Sequence, residues 1–268
     1  MKIAIQGIGM VGGFGSIADT DQLSSFLSKK ELRRIDHFSK MALLASFLSI
    51  EDSKNISKKR IGLIVATGYG PTQTTFSFLD SFIDSSDINS SPTLFSNSIH
   101  NSAAAHIAIS LKINGPTLTV SQQDFSVPSA LITACQWIND DLVDSVLFGG
   151  VDEYGQIIEY CQKRFFEEGI CGYSKVGEGA CFFVLTKDIC SQSPYAYITD
   201  VAFGHFKDKN VVCIKNGYYD WLYGKFPTSQ AFDMAIAALI IRYNKLQNIC
   251  CIKTCNSRIS SIIIKGDS

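Results

Sequence analysis

Three short runs constrain the fold of this chain more than any other feature: IGLIVATG at 61–68, TLTVS at 117–121 and SVLFGGVDE at 145–153. The first is nearly uninterrupted apolar sequence, as expected of a parallel strand covered on both faces. Segments of helix length lie between the runs. ELRRIDHFSKMALLASFLSIED at 31–52 places apolar residues at Leu32, Ile35, Phe38, Leu43, Phe47 and Leu48, which predicts one helix. YGPTQTTFSFLDSFI reads as a turn and a helix, SSDINSSPT as a Ser-rich loop, and NSAAAHIAISLKI as a helix before the turn NGP. FSVPSALITACQWIND is a further helix. Strand and helix alternate, so the fold class is α/β, with a sheet covered by helices.

The opening KIAIQGIGMVGGFG reads as a short strand and a Gly-rich turn. Gly7, Gly9 and Gly12 match the dinucleotide fingerprint, which requires a helix directly after the turn and an acid about 20 residues further on. A Ser/Asp-rich segment follows instead, so nucleotide binding is rejected. Beyond Glu153 the pattern weakens. ACFFVLT at 180–186 and YAYITDVAF at 195–203 read as strands, SQAFDMAIAALIIRYN as a helix and ISSIIIKG as a last strand. No low-complexity linker divides the chain, so residues 1–153 and 154–268 are expected to form two halves of one body.

Charged residues make up 18% of the chain, the net charge is −1, and no Lys/Arg block occurs, which excludes a nucleic-acid surface. No apolar stretch reaches the roughly 18 residues of a membrane-spanning helix, and the opening is too short for a secretory signal. A cytoplasmic protein is expected. The nine cysteines form no CxxC pair and have no paired histidine spacing. Reduced thiols are expected, with no metal site at Cys250, Cys251 and Cys255.

The order of these pieces resembles the β-ketoacyl synthases of the thiolase-like superfamily. The segments that carry the resemblance are LRRIDHFSKMALLA, the turn after IGLIVATG, IHNSAAAHIAISLKINGP, the strand into 121–127, DSVLFGGVDE and KVGEGACFFVLT. The resemblance implies a layered α-β-α-β-α fold with a complete N-terminal half and an abbreviated C-terminal half. In active members a Cys stands where the strand after Gly-Pro meets a buried helix, whose N–H groups and dipole favour a thiolate. Counting forward from Gly115-Pro116 and back from Gly149-Gly150 places that position at Asp124. Cys135 lies eleven residues later, inside the helix, where a core thiol is expected. An Asp at such a junction is expected to cap the helix.

The resemblance also calls for two histidines in the second half. The chain has only His37, His100, His106 and His205, and none matches either histidine motif. YGKFPTSQAFDMAIAALII resembles the helix-opening segment of the second histidine, with Lys225 in its place. The Phe-Gly-rich gate is unrecognisable in NSRISSIIIKG. Loss of nucleophile, histidines and gate resembles the chain length factors of type II polyketide synthases. That implies a silent subunit without cofactor or metal, paired with an active ketosynthase and an acyl carrier protein. Tyr69, Thr72 and Phe76 fall at the tunnel-gating positions of those subunits, and their spacing suits one helical face. The alternative is a divergent acyl-carrier-protein decarboxylase or condensing enzyme.

Overall fold

The computed structural model of the chain describes residues 2–12, 17–53, 60–85, 91–170, 175–187, 194–204, 211–244 and 246–267. It opens with β1 (Ile3–Gly12), α1 (Lys29–Leu32), α2 (His37–Asp52), β2 (Ile61–Thr67), α3 (Thr72–Ser85), α4 (Pro92–Asn97), α5 (Ser102–Leu111) and β3 (Thr117–Ser121). A 3-10 turn at Gln123–Phe125 leads into α6 (Ser126–Asn139), followed by β4 (Ser145–Asp152), α7 (Gln156–Glu167) and β5 (Gly179–Lys187). Then come β6 (Ala196–Phe203), β7 (Val212–Lys215), α8 (Asp220–Tyr223) and a 3-10 turn at Pro227–Ser229, the third after those at Asp21–Ser25 and Gln123–Phe125. The chain ends with α9 (Gln230–Asn244), β8 (Asn248–Cys255) and β9 (Arg258–Lys265).

Hydrogen bonding orders the strands β3-β2-β4-β5-β1-β6-β9-β8-β7. The seam between β1 and β6 is only three residue pairs long. α2 and α5 pack on the outer face of the first half, and α6 and α9 lie between the halves, touching strands of both. This is the thiolase-like layering. Its second half has four described strands, and among the described helices only α6 and α9 pack extensively on them. Two apolar cores result. One joins α2 and α5 to the first half, and the other surrounds α6 and α9.

Three expectations change. The helix expected over 31–52 starts at His37, because a Ser28–Glu31 capping box opens a separate short helix, α1, and extended Asp36 sets a new N-cap. The expected Gly-rich turn is strand: β1 runs through Gly7, Gly9 and Gly12. A Cβ at Gly9 would stand 2.0 Å from the Ala45 carbonyl of α2, so its lack of a side chain allows backbone contact between helix and sheet. Within the expected Ser-rich loop, Pro92 opens α4 behind a Ser91 cap. In the sheet, β5 lies between β4 and β1.

Candidate functional site

The site lies where β2, β4 and the 3-10 turns at Gln123–Phe125 and Pro227–Ser229 converge. Asp152, at the end of fully buried β4, fixes this junction. Its Oδ1 accepts from Thr67 Oγ1 at 2.9 Å, Gly68 N at 2.9 Å and Tyr69 N at 2.8 Å. Its Oδ2 accepts from the Thr228 amide at 3.0 Å and hydroxyl at 2.8 Å. One carboxyl thereby joins the β2–α3 turn to the turn preceding α9. Burial pushes its pKa up, and the hydrogen bonds from Tyr69, Thr67 and Thr228 oppose that shift.

The β3–α6 corner is tight. Gln123 takes φ +49°, a left-handed conformation that costs a non-glycine residue about 1–3 kcal/mol. Asp124 follows it, but does not cap α6 as expected. Ser126 does the local bonding: its hydroxyl accepts from Gln122 N at 2.8 Å and lies 2.9 Å from the Thr67 carbonyl. Asp124 turns away because a stronger partner is available. Its Oδ1 lies 3.2 Å from Nζ of Lys253, whose side chain is only 3% exposed, and the Cys255 thiol also donates to the carboxylate. Lys253 Nζ further donates to the Pro227 carbonyl at 3.2 Å and Ser229 Oγ at 3.4 Å. The ion pair ties the corner of α6 to that of α9.

Above this pair opens a cavity of about 310 Å³. Tyr69, Asp124 and Lys225, all singled out in the sequence, line it together with Phe226 and Pro227. α7 closes one side with Ile158, Cys161, Gln162 and Phe165. Burial and the nearby carboxylates of Asp152 and Asp124 push the Tyr69 hydroxyl up to about 12, which keeps it a hydrogen-bond donor.

Thr72 and Phe76 do not line this cavity. Tyr69 lies ahead of α3, beyond Gly70 at φ +67°, so the three residues do not share a helical face. Thr72 Oγ1 reaches 3.5 Å from Glu153, and Phe76 is 38% exposed. Lys225 likewise does not open a helix. It bridges Val176 in backbone pairing, and the first residue of α9 is Gln230, fully buried and bonded to the Cys251 carbonyl. No described histidine lines the cavity. Burial alone would lower His37, but its 2.9 Å bond to Glu178 leaves it raised. His106 is lowered by burial and faces Asn97 at 3.1 Å. His205 lies outside the described residues. The Cys135 thiol is buried in α6 and pushed up to about 12, the opposite of what a nucleophile needs.

Sequence reasoning missed Lys253, Cys255 and the whole of α7. Lys253 was concealed in the strand NICCIKTC, where nothing distinguishes an inward lysine from a surface one. Where the resemblance places the Phe-Gly gate, β8 and β9 meet in a tight turn at Asn256-Ser257, with Cys255 paired to Arg258.

The sequence pattern of the family described as "Beta-ketoacyl synthase, N-terminal domain" matches residues 8–172. A curated relative, "3-oxoacyl-[acyl-carrier-protein] synthase 2" of Synechocystis sp. (strain ATCC 27184 / PCC 6803 / Kazusa), is 25% identical over 142 residues. The match covers 52% of this chain and 34% of that protein, so the chain spans about a third of its length. Solved structures are similar over nearly the full chain. One is described as "AntDE:AntF (apo): type II PKS acyl-carrier protein in complex with its ketosynthase bound to the hexaketide". It has a TM-score of 0.83 at 15% identity and covers 99% of both chains. A second, "The ishigamide ketosynthase/chain length factor", has 0.76 at 14% identity over 100% of both. A third, "Ketosynthase (ApeO) in Complex with its Chain Length Factor (ApeC) from Xenorhabdus doucetiae", has 0.61 at 14% identity over 98% of this chain and 99% of that one. At these identities the likeness is one of fold.

Proposed function

The chain belongs to the β-ketoacyl synthase family, and from that premise we propose that it acts as a chain length factor. In this role it is the silent subunit of a cytoplasmic ketosynthase heterodimer that extends a polyketide on an acyl carrier protein. The observation that carries this reading is the strand-to-helix corner. The position expected for the nucleophile holds Asp124, engaged by buried Lys253, and no described histidine faces the cavity. A carboxylate there could form only a labile mixed anhydride, unsuited to holding a growing chain.

The surface supports a partner. β3 is an edge strand with half-exposed residues, an open pairing template. α3 exposes Phe76, Leu79, Phe82 and Ile83, and α4 exposes Phe95. Apolar surface of this extent marks an interaction face. In this reading Tyr69, Thr72 and Phe76 bound the tunnel that the two subunits share.

Co-expression with the ketosynthase of the same biosynthetic gene set tests the proposal. Size exclusion with light scattering should give a one-to-one complex. Elongation of malonyl-carrier protein should need both chains and the partner's thiol, and should survive Asp124→Asn. A homodimer that consumes malonyl-carrier protein by itself would overturn the reading.

A further inference from the structure

The Asp124 cavity has a chemistry of its own. Asp124 is neutralised by Lys253, whose protons are directed to Asp124, Pro227 and Ser229. The cation at the wall itself is Lys225. Among the described residues its ammonium has no carboxylate within ion-pair distance. Lys225 therefore offers the cavity an ammonium free of direct ion pairing, with Asp220 acting on it only at longer range, beside apolar walls, chiefly Tyr69, Phe165, Phe226 and Ile158. Its volume of about 310 Å³ lies at the lower end of the ~300–1,000 Å³ typical of small-molecule sites.

From this juxtaposition we infer that the cavity binds a small amphipathic carboxylate, with its head on Lys225 and its alkyl or aryl body between Phe165 and Phe226. The ligand is a free acid held non-covalently, because Asp124 offers no thiol to acylate. The cavity wall on α7 favours exchange. No residue of this helix is fully buried, so a ligand can enter past Phe165, itself 46% exposed. The inference does not depend on the chain pairing with a ketosynthase.

Cys161 makes the site measurable, since its thiol lines the cavity while Cys213 is exposed on β7. The full-length chain, alone or in its complex, would be labelled with N-ethylmaleimide and the two thiols followed separately by peptide mass spectrometry. Octanoate and trans-cinnamate serve as alkyl and aryl probes, and 1-octanol as the neutral control. Saturating acid should slow Cys161 about tenfold or more and leave Cys213 unchanged. Octanol should need about tenfold more ligand, equivalent to ~1.4 kcal/mol for the charged contact. Lys225→Met should bring octanoate and octanol within about twofold of each other, and Phe165→Trp should abolish protection by filling the cavity. The ratio of the two acids tells an alkyl source from an aryl one. Unprotected Cys161 with both acids sinks the inference. So does a Lys225→Met variant that still prefers the acid, or a Phe165→Trp variant that is still protected.

Discussion

The two halves of the molecule repeat one plan and complete it unequally. In the first half β2 runs parallel to β4, and β5 lies antiparallel to both β4 and β1. In the second half β7 runs parallel to β8, and β9 lies antiparallel to both β8 and β6. α6 precedes β4 and α9 precedes β8, each opens through a 3-10 turn, and the two turns touch. The second half has no described counterpart of β3: residues 216–226 lead directly from β7 to the turn before α9. Coverage differs in the same direction. β2 and β4 are buried along their whole length, between α2 and α5 outside and α6 inside. β6 and β7 expose several of their residues. The first half thus rests on helices from both sides, whereas the described second half rests on the shared middle layer alone.

The largest effect should come from breaking the outer contact that only the first half has. Gly9→Ala would place a Cβ 2.0 Å from the Ala45 carbonyl and 2.5 Å from the Ser49 amide, both in the backbone of α2. Neither can swing aside as a side chain could, so a loss of about 3 kcal/mol or more is expected in urea unfolding. Thr254→Val, exposed on β8 of the second half, should stay within about 0.5 kcal/mol. Similar losses at the two sites would show that the halves are not covered differently.

The same asymmetry explains what the sequence disclosed. A strand covered on both faces must be apolar throughout, so β2 and β4 were legible as runs. β7, four residues long at an edge, carries too little pattern to be read. α7 was invisible because none of its residues is fully buried, which leaves its amphipathic signal without a core to match. The glycines of β1 read as a turn because turns use glycine most often, yet here they admit the backbone of a helix. In the site, resemblance located Tyr69, Asp124 and Lys225, which do share one cavity. It could not locate Lys253, since an inward charge depends on a partner 129 positions away in the chain, Asp124.

The middle layer joins the halves through Asp124 and Lys253, and cutting that link sharpens the comparison. Asp124→Ala leaves a lysine that is 3% exposed without its carboxylate. Removing one partner of a buried pair costs about 3–5 kcal/mol. Because Asp124 is 32% exposed and solvent screens its charge, about 2–3 kcal/mol is expected. Adding Lys253→Met should restore at least half of that loss, since the stranded charge is then gone. A double variant as unstable as the sum of the two single ones would mean that the pair does not couple the two corners.

The smallest effect concerns titration, where the halves should behave alike. Glu153 follows β4 in the first half, 2% exposed, and accepts from Gln73 N at 2.6 Å. Burial pushes its carboxyl from 4.5 to about 7. Asp233, on α9 against the second half, is also pushed to about 7 by burial, despite a hydrogen bond from Tyr223. In both cases the folded protein keeps a proton that the unfolded chain has released. The stabilisation is therefore complete below the unfolded value and is lost as pH rises toward 7. His37, raised by Glu178 against the effect of burial, acts in the same direction above 6.5. Glu153→Gln can still accept from Gln73 but cannot titrate, so its stability between pH 4.5 and 7 should fall less than that of the wild type, by about 1–2 kcal/mol. Asp233→Asn should flatten the same window by a similar amount, and the double variant should leave mainly the His37 slope above 6.5. If the Glu153→Gln profile overlays the wild type while Asp233→Asn flattens it, the buried charge belongs to the second half alone, and the halves differ in electrostatics as well as in coverage.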